Sequence, residues 1–313
     1  MINKRIIVTG GAGFIGSNLA RYISNLQNHV VVIDDLSTGR EENISDLIAE
    51  SKIEFVKGSI TDLDFLEDTF HNIDYIFHEA ALPSVPRSIK DPVTTNQVNI
   101  NGTLNVLIAA KNSGVQKVIY ASSSSVYGDT PTLPKKETMI PKPQSPYAVS
   151  KLTGEYYCEV FSNVFRLPTV ALRYFNVYGP YQDPLSQYAA VIPRFITCIL
   201  NGQSPIVYGD GEQTRDFTFI NDIIEANILA AESKATGIFN AAGGNRISIN
   251  QLAASVMEIC HKKLKIVHND SRPGDIKHSL ADRSRATEAF GFTPKYNIEN
   301  GLKETIKWYQ KQK

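Results

Sequence analysis

Arg5-Ile6-Ile7-Val8-Thr9-Gly10-Gly11-Ala12-Gly13-Phe14-Ile15-Gly16 opens on a β-branched run and passes without a break into a glycine-rich turn. The run predicts a buried strand. Glycines follow at 10, 13 and 16 in the spacing G-x-x-G-x-x-G. The turn requires a glycine, a pyrophosphate requires close backbone approach, and the next helix must pack near the strand. A helix N-terminus placed there offers free N–H groups and a partial positive charge to phosphates.

Outward from this stretch, short apolar runs alternate with helical stretches. Strands are expected at 5–9, 30–33, 54–56, 75–78, 118–121 and 169–173, with helices at 18–25, 102–112 and 147–161 among them. This alternation implies an α/β fold, a doubly wound parallel sheet of the Rossmann type with both faces covered. Val30-Val31-Val32-Ile33, apolar throughout, suits a strand buried on both faces. After Asn176 the pattern loosens around Pro180, Pro184, Pro193 and Pro205. A helix at 217–231 and a strand at 238–242 look like a return to the sheet. The expected organisation is a dinucleotide-binding domain over 1–175, joined again by 217–244. Residues 176–216 and 245–313 would form a smaller C-terminal α/β substrate-binding lobe.

Asp34 ends the second expected strand, 18 residues after Gly16. A carboxylate there accepts hydrogen bonds from the adenosine ribose hydroxyls and repels the extra phosphate of NADP, which favours NAD as the cofactor. Arg40, beyond Leu36-Ser37-Thr38-Gly39, keeps NADP open. The composition is that of an ordinary globular chain, 42% hydrophobic and 20% charged over 313 residues. Lys plus Arg equals Asp plus Glu at 32 each, so no basic field draws the chain to nucleic acid or an anionic membrane. The short run Lys262-Lys263-Leu264-Lys265 reads as solvated surface. No apolar run approaches the ~20 residues of a membrane helix. The N-terminus lacks the pattern of a signal peptide. Cys158, Cys198 and Cys260 are scattered and suit a reducing cytoplasm better than a disulfide frame or a metal site, so no metal is expected.

Tyr147-Ala148-Val149-Ser150-Lys151 follows Pro146, which suits a helix start. Positions four apart share a helix face, so the Lys151 ammonium can sit near the Tyr147 phenol. A free phenol has a pKa of ~10. A neighbouring cation favours the phenolate and makes Tyr147 a base for a substrate hydroxyl. Ser122-Ser123-Ser124-Ser125 stands at the end of the strand at 118–121, on the edge of a parallel sheet where ligands gather.

Taken together, these residues resemble the extended short-chain dehydrogenases/reductases and, more narrowly, the UDP-hexose 4-epimerases, along essentially the whole chain. The family motifs stand here as TGGAGFIG from Thr9, HEAAL from His78, SSSSVYGD from Ser122, SPYAVSK from Ser145, LRYFNVYGP from Leu172, YGDGEQTRDF from Tyr208 and RPGDIKHSLAD from Arg272. The resemblance implies reversible, NAD-dependent C4 epimerisation through a 4-keto sugar. It makes Tyr147 the base, Lys151 its cationic partner and Ser123 the catalytic serine. It implies cofactor contacts from Gly10, Gly13, Phe14, Ile15, Gly16, Asp34 and Gly39, from Ser59, Ile60, Ala80, Ala81 and Asn99, and from Ser122, Tyr147, Lys151, Tyr174 and Val177. For the substrate it implies Asn176, Arg215 and Arg272 on the diphosphate, Ala190, Val191 and Tyr208 at the uridine, and Asp275 on its ribose. Two arginines suit two phosphates, because a guanidinium offers paired donors.

The segments from Ser84 to Ile89 and from Asp183 to Pro193 are most similar to epimerases of UDP-N-acetylhexosamines. Glucose-only epimerases carry a bulky tyrosine where this chain has Ser279, and a small residue leaves room for a 2-acetamido group, with Ser124 near enough to help recognise it. Pro83 departs from the glycine of the acetamido-selective enzymes. UDP-GlcNAc/UDP-GalNAc is therefore the expected substrate pair, with UDP-Glc/UDP-Gal also accepted. Related dehydratases and decarboxylases carry carboxylates where this chain has Ser124 and Ser125. A UDP-glucuronate 4-epimerase, with Arg87 in the sugar pocket, stays open. So does a catalytically inactive NAD-binding regulator, against which the intact Ser123, Tyr147 and Lys151 argue. The family pairs the helices at 102–112 and 147–161 into a four-helix homodimer interface. Leu104, Leu107, Ile108 and Val160 fit that interface or the monomer core.

Overall fold

The computed structural model describes residues 1–184, 190–270 and 277–312. Seven strands form the central sheet: β1 (Arg5–Thr9), β2 (His29–Asp34), β3 (Ile53–Lys57), β4 (Tyr75–His78), β5 (Lys117–Ser123), β6 (Thr169–Tyr174) and β7 (Gly237–Ala241). Their spatial order is β7-β6-β5-β4-β1-β2-β3. Every pairing is parallel. The order reverses between β1 and β4, and in such sheets the crevice at the reversal, beyond the carboxyl ends of the strands, is the ligand site.

Alternate side chains serve two cores. Ile6, Val8, Val30 and Val32 enter one, while Ile7, Val31 and Ile33 enter the other, none more than 3% exposed. Burial on both faces is why these strands are unbroken apolar runs. Helix α1 (Phe14–Ser24) follows β1, α2 (Gly102–Asn112) precedes β5, and α3 (Pro146–Val164) precedes β6. Helix α3 begins where the Ser145 side chain accepts from the Ala148 N–H at 3.1 Å, with Pro146 in the first turn.

Helix α1 starts four residues earlier than the sequence predicts. Gly16 in its first turn weakens the helical signal, yet no side chain fits there, because a Cβ would lie 2.3 Å from the Gly10 carbonyl oxygen. Strand β5 runs on through Ser122 and Ser123, and only Ser124–Tyr127 turns away as a 3₁₀ turn. The chain then builds α4 (Val191–Leu200), returns to the sheet through α5 (Ile220–Glu232) and β7, and adds three small two-stranded sheets. These pair Val177–Tyr178 with Thr218–Phe219, Thr214–Asp216 with Arg246–Ser248, and Ile206–Tyr208 with Val267–Asn269. Among the described residues no helix is long and apolar enough to cross a membrane.

Candidate active site

Gly10, at φ +69°, ends β1 with its N–H donated to the Ile33 carbonyl at 2.7 Å. A Cβ on it would meet the Ala80 backbone at 2.6 Å. Gly13 donates to the Gly10 carbonyl at 3.0 Å and caps α1 with no side chain. The first-turn N–H groups of α1 thus face a cleft of about 690 Å³. Asp34 closes the far wall, its Oδ2 accepting from the Ala12 N–H at 3.0 Å and its Oδ1 from the Leu36 N–H at 2.8 Å. Burial raises this carboxyl and the two N–H groups oppose that rise. A Cβ on Gly39 would fall 2.7 Å from Asp34 Oδ1, so this glycine lets the loop close over the carboxylate. The cradle fits a dinucleotide pyrophosphate at the helix end and a ribose at Asp34. Arg40 is engaged elsewhere, donating to Asp183 at 2.8 Å.

The same cleft holds Tyr147 and Lys151. The Ser123 hydroxyl lies close enough to the Tyr147 phenol to favour its ionised form. Ser123 Oγ accepts from the Ser125 N–H at 3.2 Å and the Ser125 hydroxyl at 2.9 Å, which leaves its own proton to donate. The Lys151 ammonium donates to the Ala121 carbonyl at 2.8 Å. Burial pushes Tyr147 up, Glu79 adds to the rise, and Ser123 is what pulls it down. Burial also lowers Lys151 to about 8, against the opposing pull of Glu79.

Two buried networks hold these groups in place. Glu155, one helical turn after Lys151, accepts from Arg173 Nε at 2.8 Å and Nη2 at 2.7 Å, and also from the Ser122 hydroxyl. The pair is almost fully buried, with the Arg173 guanidinium 4.6 Å above the Tyr127 ring. It fastens α3 to the carboxyl ends of β5 and β6. The second network starts at His78, buried between Thr9 and Thr103. The Thr103 hydroxyl donates to the Asn99 carbonyl, so it accepts from His78 Nε2–H, and Nδ1 accepts from Thr9. Asn99 Oδ1 accepts from the Leu82 N–H at 2.8 Å, and its Nδ2 donates to Ser150 Oγ at 3.0 Å.

The expected cofactor residues Gly10, Gly13, Phe14, Ile15, Gly16, Asp34 and Gly39 line this cleft. Ile60, Ala80, Ala81, Ser122, Tyr147, Lys151 and Tyr174 line it too, with the substrate candidates Ser84, Arg87 and Ala190. Three cofactor expectations fall elsewhere. Asn99 is 1% exposed and spends its amide clamping the Leu82 loop to α3. Ser59 pairs with Thr61 in the turn after β3. Val177 lines a second cavity, of about 400 Å³.

Asn176, Ala190, Val191, Tyr208 and Arg215 line that second cavity, so Ala190 joins the walls of both. Ser279 is buried beside it, its hydroxyl accepting from Asn176 Nδ2 at 3.3 Å and the Asp216 N–H at 3.2 Å. Ser124 opens the 3₁₀ turn after β5. Arg272 and Asp275 lie outside the described residues. Sequence reasoning missed Arg194, whose guanidinium sits 5.8 Å above the Tyr208 ring in the second cavity. Its spacing of three from Val191 is the helical signal that points to it. Glu79 in the first cleft was also missed.

Residues 6–242 match the family model described as the NAD dependent epimerase/dehydratase family. A UDP-glucose 4-epimerase of Mycolicibacterium smegmatis is 37% identical over 310 residues, 98% of each chain. A solved UDP-N-acetylglucosamine 4-epimerase of Methanobrevibacter ruminantium M1, in complex with UDP-N-acetylmuramic acid, is 46% identical with a TM-score of 0.96 over all of both chains. The UDP-glucose 4-epimerase of Thermus thermophilus, solved with NAD, is 34% identical with a TM-score of 0.88, covering 98% of this chain and 99% of that one.

Proposed function

The chain belongs to the NAD-dependent epimerase/dehydratase family, and from that premise we propose that it interconverts the C4 epimers of a UDP-hexose. One observation carries the reading: the glycine cradle, Tyr147 and Lys151 share one cleft, joined at Ala190 to a second cavity bearing Arg215 and Tyr208. Bound NAD supplies the reversible oxidation at C4, and the protein supplies geometry and proton control. Tyr147 takes the proton of the sugar 4-hydroxyl and returns it. Ser123 donates to the reacting oxygen, since its own lone pairs are occupied by Ser125. Lys151, anchored on the Ala121 carbonyl, holds a positive charge beneath the site. Arg215, with Arg272, grips the diphosphate while the 4-keto sugar turns over, so that reduction on its other face yields the epimer. In this reading the dinucleotide-binding domain is 1–175 with 217–244, and the nucleotide-sugar lobe is 176–216 with 245–313.

The sugar is UDP-GlcNAc/UDP-GalNAc first, with UDP-Glc/UDP-Gal also accepted. Ser279 is small, and its hydroxyl is already tied to the Asn176 amide and the Asp216 N–H. A carboxylate-bearing sugar is the second reading, because Arg87 lines the cleft and its guanidinium makes no ion pair among the described residues. Ser124 and Ser125 offer no carboxylate for eliminating water.

The protein is further read as a cytoplasmic homodimer. Val149, Tyr156, Val160 and Val164 form an apolar stripe on α3, each 45–66% exposed, whereas Leu107 on α2 is fully buried in the core. A panel of the four UDP-hexoses, each followed by chromatographic separation of products, tests the activity. Epimers of both acetylated substrates are the expected result. No C4 epimer from any of the four would leave the binding or regulatory reading.

A further inference from the structure

The motif His78-Glu79-Ala80-Ala81-Leu82 brings a carboxyl to the site for which the reaction so far has no use. His78 is spent on the core and Ala80 and Ala81 line the cofactor cleft. Glu79 leaves the end of β4 half-buried and lines the same cleft as Tyr147, Lys151 and Tyr174. Three elements therefore converge there: β4 brings the carboxyl, α3 the phenol and the ammonium, and β6 a second phenol.

The carboxyl is held in place. The Tyr174 hydroxyl donates to Glu79 Oε1 at 2.7 Å. That hydroxyl in turn accepts from Asn227 Nδ2 at 2.8 Å, and the same amide is anchored on the Ile223 carbonyl at 2.8 Å. Asn227 is fully buried, with its Oδ1 3.1 Å from the same hydroxyl, so its amide holds Tyr174 beside Glu79. The ionisable groups that act on Glu79 are Tyr174 from β6 and Lys151 from α3, and Glu79 acts in turn on Tyr147.

We propose that Glu79 is a positioning residue of the reacting centre: a carboxyl that balances the Lys151 ammonium and sets the pH at which Tyr147 serves as a base. The proposal rests on the epimerase reading, which makes Tyr147 that base. Ionisable groups that line one cleft titrate as a set rather than one by one. Burial pushes Glu79 up to about 7, with Tyr174 and Lys151 holding it back. From the other side, Glu79 keeps the proton on Lys151 and raises Tyr147. Ionised Glu79 thus restrains the phenol from ionising, and protonated Glu79 releases it.

Glu79→Gln tests this. The amide keeps the length and still accepts from Tyr174, but carries no charge. The acid limb of kcat/KM against pH is expected to move about one pH unit toward acid. Tyr147 ionisation, read as the ultraviolet difference between each protein and its Tyr147→Phe counterpart, should move the same way without any turnover. Glu79→Ala, which also removes the charge, gives a second route if the first variant does not fold, and its phenolate titration should move the same way. An unmoved limb and an unmoved phenolate titration in a folded Glu79→Gln protein would overturn the proposal, leaving Glu79 as a mere prop for Tyr174. A wild type that epimerises no UDP-hexose overturns the epimerase reading instead, and the phenolate titration then still decides the coupling.

Discussion

Removing one partner of the Glu155–Arg173 pair should cost far more than removing both. Glu155 is fully buried and Arg173 is 2% exposed at the side chain. Two N–H donors reach the carboxylate, at 2.8 and 2.7 Å. Glu155→Leu leaves a guanidinium in the interior without its carboxylate, over the Tyr127 ring. An orphaned buried charge of this kind costs about 3–5 kcal/mol, a large share of the ~5–15 kcal/mol that holds a typical domain folded. Arg173→Met should cost about as much, by orphaning the carboxylate. The double variant Glu155→Leu/Arg173→Met removes both charges and should recover most of that loss, because a paired buried charge is worth little against apolar packing. Urea unfolding of the four proteins, read as a double-mutant cycle, measures this. Single losses under about 1 kcal/mol, or a double variant whose loss equals the sum of the singles, would refute the reasoning. Because Glu155 also accepts from Ser122, next to Ser123, the singles should lose activity beyond their loss of folded protein.

Gly16→Ala must separate its Cβ from the Gly10 carbonyl, 2.3 Å away in the turn that cradles phosphate. A cost of about 1–3 kcal/mol should appear in calorimetry as roughly 5- to 150-fold weaker NAD binding, and wild-type affinity would remove the cradle from the cofactor site. Tyr147→Phe should lower kcat by about 10²–10⁴-fold with an unchanged far-ultraviolet spectrum, and near-normal turnover would exclude the phenol as the base. His78 is held neutral by burial, its pKa lowered to about 3. Unfolded chain takes up that proton below about pH 6.5, so acid favours unfolding, and stability should fall by about 4 kcal/mol between pH 6.5 and 3 on this ground alone. His78→Gln should show a correspondingly shallower loss in that window, and parallel curves would rule this out. Val160→Glu on the exposed stripe of α3 should convert the proposed dimer to monomer in sedimentation velocity, and an intact dimer would move the interface elsewhere.

The fold was legible because the parallel sheet writes itself into sequence. Strands buried on both faces must be apolar throughout, as Val30 to Ile33 are. The cradle was legible because Gly10 and Gly16 are positions where no other residue fits. The start of α1 was not, since the glycine that packing demands is also the residue that weakens a helix. The clamp that Asn99 makes on Leu82 and Ser150 was not legible, since spacing along the chain does not say which way an amide faces. Lys151 was placed on the right face, but spacing along a helix cannot show that its ammonium is drawn to the Ala121 carbonyl on a neighbouring strand. Glu79 was invisible for the same reason: its partners Tyr174 and Lys151 lie far away in sequence and meet it only through the order of the strands.

In the proposed reaction one site oxidises C4 of a UDP-hexose and reduces it again, with nothing consumed. UDP-GlcNAc labelled with deuterium at C4, incubated with the protein and NAD in ordinary water and analysed by NMR, tests it most directly. The expected product is the C4 epimer with deuterium retained at C4 and no net change in absorbance at the wavelength of reduced nicotinamide. Washout of the label into water, or a folded, NAD-loaded protein that yields no epimer from this or the non-acetylated sugar, would contradict the account.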